Sequence, residues 1–170
     1  IETMKIYLAI ILLLISLKSF ACTCKTKSLS TWQKYELENS ECIFIGEIIE
    51  VNKSDLTFKI RVTESLDGGD EIGNVYVGKN WKYCSPYVSE TGKWIIYGHM
   101  ESGFLRLNMC GISRPFDNPS TLTSDHTPPS PPKSTNEQNN YEQIRKEYLV
   151  KVKKDLELEI VGLRKERDKK

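Results

Sequence analysis

Leu56-Thr57-Phe58-Lys59-Ile60-Arg61-Val62-Thr63 alternates apolar and polar side chains without a break. Successive side chains of a strand point to opposite faces, so this stretch predicts a strand with one face buried and one in water. The turn at 52–55 precedes it, and before that residues 43–51 are rich in β-branched residues, so the two runs predict a hairpin. Gly46 falls inside the first run, where a glycine marks a bulge or a close backbone approach. Downstream, the Gly/Asp-rich turn 66–73 leads to a short strand at 74–78 carrying Val75 and Val77. A longer loop, 79–91, holds Trp81, Tyr83, Cys84 and Pro86. Residues 92–99 read as a fourth strand through Trp94, Ile96 and Gly98, and 104–109 as a fifth with Leu105 and Leu107. Upstream, Ser30-Thr31 can cap a short helix through Trp32, Tyr35 and Leu37, ended by Glu38-Asn39-Ser40. Five short strands with a helix beside them predict a mainly β chain folded as a small closed or nearly closed antiparallel barrel.

The ends differ in character. The segment 118–140 is rich in Pro, Ser, Thr and Asn and includes Pro128-Pro129-Ser130-Pro131-Pro132, which predicts an extended linker. Residues 141–170 predict a separate C-terminal helix with Ile144, Tyr148, Val152, Leu156, Ile160 and Leu163 on one stripe. Lysines and glutamates spread round the rest of that helix, so the expectation is a solvated helix on a tether, whose stripe could serve weak self-association or docking onto an envelope partner. At the other end, Met4-Lys5, the apolar run 6–17 and Ser19-Phe20-Ala21 have the three parts of a secretory signal, with Ile1 to Thr3 lying before the start methionine. The run is shorter than the roughly 18 to 20 residues of a membrane span. Cleavage after Ala21 would make Cys22 the first mature residue, and lipidation of Cys22 or retention as an anchor are the alternatives. The organisation expected is thus a signal peptide at 1–21, a barrel domain at 22–117, a linker at 118–140 and a charged helix at 141–170.

With 24 basic and 23 acidic residues the formal net charge of +1 provides no field for nucleic acid, and the 39% hydrophobic content implies that part of the chain is unpacked. Export places Cys22, Cys24, Cys42, Cys84 and Cys110 in an oxidising compartment, secreted or in the periplasm or cell envelope, where disulfides are the default and the odd count leaves one over. Thiolate coordination of a metal by Cys22, Cys24, Cys84 and Cys110 is the competing use. His99 and His126 have no partner pattern suggesting a triad or a ligand set, so no enzyme and no cofactor are expected. The turn with Asp67, Asp70 and Glu71 matches no calcium loop and reads as solvated. Trp32 and Trp94 read as core or barrel-cap residues, and Trp81 as a contact residue.

Cys22-Thr23-Cys24 directly after a signal, then a helix, Ile43-Phe44-Ile45-Gly46-Glu47-Ile48, five strands and Asn108-Met109-Cys110-Gly111 together resemble the netrin-like (NTR) domain of tissue inhibitors of metalloproteinases, in its short bacterial form. The resemblance covers about residues 22–115. It implies an OB-like five-stranded barrel, disulfides Cys22–Cys84 and Cys24–Cys110, and Cys42 as a free, partly buried thiol. It further implies an exported protein-binding module that inhibits a zinc metalloendopeptidase. The α-amino nitrogen and carbonyl of Cys22 would chelate the partner's zinc, Thr23 would enter the neighbouring pocket, and the chain would hold no metal of its own. An acylated Cys22 amine would lose that ligand. The alternative expectation is a non-inhibitory envelope or adhesion scaffold, with contacts made by barrel loops and the C-terminal helix.

Overall fold

The computed structural model describes residues 22–121, 123–132 and 138–169, so the expected signal segment lies outside the described residues. A short helix, α1 (Leu29–Asn39), leads into strands β1 (Cys42–Asn52), β2 (Thr57–Ser65), β3 (Val75–Lys79), β4 (Gly92–Glu101), β5 (Phe104–Leu107) and β6 (Arg114–Pro115), and a long helix, α2 (Gln138–Arg167), follows. The short N-terminal helix, the OB-like five-stranded barrel and the C-terminal helix expected from the sequence are all present. The strand order is β1-β2-β3-β5-β4, closed by pairing of β4 back to β1, with the two-residue β6 added along β4. The pair β3–β5 is parallel, through Gly78 and Leu105, so the barrel is mixed where the spacing predicted a wholly antiparallel one. Even spacing of strands carries no information about which two close the barrel.

Two hydrophobic clusters explain two kinds of strand. Inside the barrel, Phe44, Ile48, Phe58, Ile60, Val62, Trp94, Ile96, Leu105 and Leu107 pack together. On the outside, Ile43, Ile45, Ile95 and Tyr97 from β1 and β4 meet Trp32 of α1 and Leu156, Ile160 and Leu163 of α2. β1 and β4 are therefore buried on both faces and read as near-continuous apolar runs, whereas β2 has one wet face and alternates.

Close approaches are served by glycine. At Gly46 the β1–β2 register shifts, and a Cβ there would lie 2.6 Å from Ile60 Cγ1 and 2.9 Å from the Arg61 carbonyl. A Cβ at Gly78 would overlap the Phe58 ring. The β4–β5 hairpin turns through Ser102 and Gly103, both with positive φ (52° and 82°), a tight turn whose twist suits the flanking strands.

The C-terminal helix is not a solvated rod. Tyr148, Val152, Leu156, Ile160 and Leu163 are buried, and Glu159, which interrupts that stripe, is buried with them. Its carboxylate accepts from both terminal guanidinium nitrogens of Arg114 (2.8 and 3.2 Å), the Tyr97 hydroxyl (2.6 Å) and the Gln33 amide. Near the end of α2, Arg164 grips Glu64 through two bonds and Arg167 donates to the Ser65 carbonyl. The high charge of the helix predicted solvation, but apart from Glu159 the residues of its buried stripe are apolar or Tyr148. The segment before it is also engaged: Lys27 pairs with Thr123, and Asp125 accepts the Leu29 amide.

Candidate functional site

Cys22, Thr23 and Cys24 run along one side of the barrel, with Cys22 bonded to Cys84 of the β3–β4 loop and Cys24 to Cys110 of the β5–β6 connection. The two links span Cα–Cα distances of 5.6 and 5.4 Å and close loops of 62 and 86 residues. By the chain-entropy argument each removes about 4 to 5 kcal/mol of unfolded-state freedom, less in sum because the loops overlap. Thr23 stands exposed between its two half-buried bonded neighbours. A third fixation follows three residues on, where Lys27 pairs with Thr123 and its ammonium lies 4.7 Å over the Trp32 ring. Ser28 then caps α1, its hydroxyl accepting the Thr31 amide.

Both loops that receive the bridges are themselves held. In the β3–β4 loop the buried Asn80 side chain donates to the Val88 carbonyl (2.8 Å) and accepts the Val88 amide (2.9 Å), pinching the loop that carries Cys84. Trp81 is committed inward: its indole N–H donates to the Leu107 carbonyl, and the Arg106 guanidinium stacks on its ring at 4.6 Å. It therefore anchors the loop, a role that its loop position did not reveal. The Cys110 amide donates to the Ser85 carbonyl at 2.7 Å, which ties the two receiving loops to each other.

Beneath Cys110 lies a residue that sequence reasoning missed. Glu36 of α1 is fully buried, and its carboxylate accepts the Ile112 amide, the Ser40 hydroxyl and the Asn108 side-chain amide. Burial pushes the Glu36 carboxyl above its ordinary range against the lowering effect of these donors. Asn108-Met109-Cys110-Gly111 wraps round this group: Cys110 takes a positive φ of 61°, and a Cβ at Gly111 would strike the Glu36 carboxylate. Asn108 also meets His99 Nδ1 at 3.0 Å. The signal available in the sequence was position alone, since Glu36 lies one helical turn beyond the buried Trp32.

The residues next to the two bridge-receiving cysteines are exposed and apolar. Tyr83, next to Cys84, is 73% exposed, and Met109, next to Cys110, is 46% exposed. Beside the Cys24–Cys110 link a cleft of about 340 Å³ is lined by Lys25, Pro86, Tyr87, Trp94 and Pro115 among others.

The remaining expected features have definite places. Cys42 is a buried free thiol whose pKa is pushed up to about 12 by burial and by the nearby acids Asp70, Asp67 and Glu41. The acidic turn is not simply solvated: Asp67 accepts the Ile43 amide, and Asp70, buried, accepts the Tyr76 hydroxyl at 2.8 Å. His126 Nε2 lies 2.8 Å from Asp155 Oδ2. Among the described residues no group of three or more His, Cys, Asp or Glu is arranged to hold a metal ion, and no helix is long and apolar enough to cross a membrane. Two disulfides fit an oxidising, extracytoplasmic environment. No family model and no curated protein matches the chain.

Proposed function

We propose that the chain is an exported NTR-like protein-binding module that inhibits a zinc metalloendopeptidase through its N-terminal ridge. The observation that carries this reading is the placement of Thr23, exposed between two bridged cysteines whose partners Cys84 and Cys110 each adjoin an exposed apolar residue, Tyr83 and Met109. After processing behind Ala21, Cys22 would offer an α-amino nitrogen and a carbonyl oxygen that close a five-membered chelate ring on a metal. A catalytic zinc keeps an open position for such ligands, and an α-amino group with a pKa of about 7.7–8.0 yields its proton to a metal near neutral pH. Displacement of the zinc-bound water removes the nucleophile of the protease, and the Thr23 side chain fills the pocket beside the metal. The double staple matters energetically, because a backbone fixed before binding loses little further entropy on docking. Tyr83 and Met109 add apolar contact around the chelate, in the manner of interface anchors.

The test is titration of the processed chain, with a free Cys22 amine verified by intact mass, against a panel of zinc endopeptidases. An N-acetylated sample is the control. Stoichiometric inhibition by the free form that acetylation weakens by about 100-fold or more supports chelation, a loss of about 3 kcal/mol. Equal potency of the blocked form, or no inhibition across the panel, refutes it. The latter result would leave a scaffold module bound to an envelope or extracellular protein through the same rim.

A further inference from the structure

With its apolar stripe spent on the barrel, α2 turns a second and different stripe outward. Val150 is 69% exposed, Leu158 61% and Val161 43%, which is unusual for aliphatic residues recurring on one helical face. At 100° per residue these three share that face with Glu147, Lys154 and Lys165, all exposed. None of the six belongs to the outer core that docks α2, although Leu158 also borders the cleft between α2 and α1. The order of residues along this stripe is what identifies its occupant. Glu147 and Lys165, Val150 and Val161, and Lys154 and Leu158 are three pairs, each centred at or beside residue 156.

We infer that this face pairs with the same face of a second copy of the chain, antiparallel, about a two-fold axis passing near residue 156. In that arrangement Glu147 of each copy meets Lys165 of the other, Val150 meets Val161, and the aliphatic stem of Lys154 covers Leu158. Glu157, also exposed, falls beside Lys154 of the second copy. A two-fold interface requires one patch to complement itself, and opposite charges at the two ends with aliphatic residues between them satisfy that in the antiparallel sense. A parallel pairing sets Glu147 on Glu147 and Lys165 on Lys165, so charge selects the direction. The stripe is about 27 Å long at 1.5 Å per residue, and three aliphatic side chains per copy place the contact in the small, reversible class. The barrel rim at Thr23 is built from other elements, so dimerisation leaves it available.

Sedimentation equilibrium of the full chain with both disulfides formed, from about 10 µM to about 1 mM, tests this in the range where a contact of that class is populated. The expected result is a monomer–dimer equilibrium. E147K and K165E, each placing like charges together twice per dimer, should each weaken it by about 10-fold or more, and E147K/K165E should restore it. All four proteins should keep the same helical circular dichroism, since the changes are on exposed positions. A monomer at every concentration, single variants that dimerise like the parent, or a double variant that stays monomeric would each overturn the assignment. Binding of the parent to anionic phospholipid vesicles without self-association would give this face to a lipid surface and would overturn it too.

Discussion

Glu159→Ala is the sharpest probe of how the helix α2 is held. The Arg114 and Glu159 side chains are each only 3% exposed, so the pair belongs with buried ion pairs and not with the surface pairs whose median is near zero. Removing the carboxylate leaves the guanidinium in the interior with the Ile112 carbonyl as its remaining partner, and takes the acceptor from the Tyr97 hydroxyl and the Gln33 amide. Breaking a buried pair from one side costs about 3–5 kcal/mol. With a urea m-value of about 1.5–2 kcal/mol/M for a chain of this size, the midpoint should fall by about 1.5–3 M at unchanged slope. Urea unfolding of the oxidised protein, followed by tryptophan fluorescence, reads the midpoint. Lys153→Ala, on the exposed side of the same helix, should stay within about 0.5 kcal/mol of the parent. Replacing both partners by apolar residues, R114M/E159L, should recover most of the loss, because desolvation of two charges offsets much of their attraction. If E159A unfolds at the same urea concentration as the Lys153 control, α2 is not docked through this cluster and the outer core is wrongly drawn.

Leu156→Ala, in the same interface, should cost about 2–5 kcal/mol in the same assay, and a loss within 0.5 kcal/mol of zero would contradict its burial. Gly78→Ala should destabilise by about 1–3 kcal/mol, because the added methyl collides with the Phe58 ring inside the barrel; a neutral result would mean that β2 and β3 are further apart than described. Glu64 is held below its ordinary carboxylate range, chiefly by the Arg164 hydrogen bonds. Its folded pKa is therefore depressed, and its stabilisation is present above the unfolded value of 4.5 and lost as pH falls through the folded value. Glu64→Gln should then cost about 0.2–1 kcal/mol at pH 7 and approach no cost in strong acid, and a penalty independent of pH would count against the pairing. Cys42 should resist alkylation by iodoacetamide at pH 8 in the folded protein, and denaturant without reductant should expose one reactive thiol, against five once the bridges are reduced. More than one thiol before reduction would break the assignment of the two bridges.

Period-two alternation at 56–63, the β-branched content of 43–51 and the alternate residues Trp94, Ile96 and Gly98 were enough to place strands, since strand burial leaves its pattern in a sequence. The same local reading placed α1, α2 and the close approach at Gly46. Chain closure was not legible: that β3 lies parallel to β5 is a relation between segments far apart, and spacing is silent on it. Of the site, both the role of Thr23 and the bonding of its two flanking cysteines were available only through resemblance, because spacing alone does not fix the connectivity of five cysteines.

By itself the sequence determined the local elements, because backbone propensity and side-chain period act over a few residues and are written there directly. Only the tertiary structure decided which charges are buried. Glu36 and Glu159 look like their solvated neighbours in the chain, yet one supports the Cys110 turn and the other locks α2 to Arg114. A carboxylate leaves water only where donors from distant segments converge on it, and that convergence exists only once the barrel has closed.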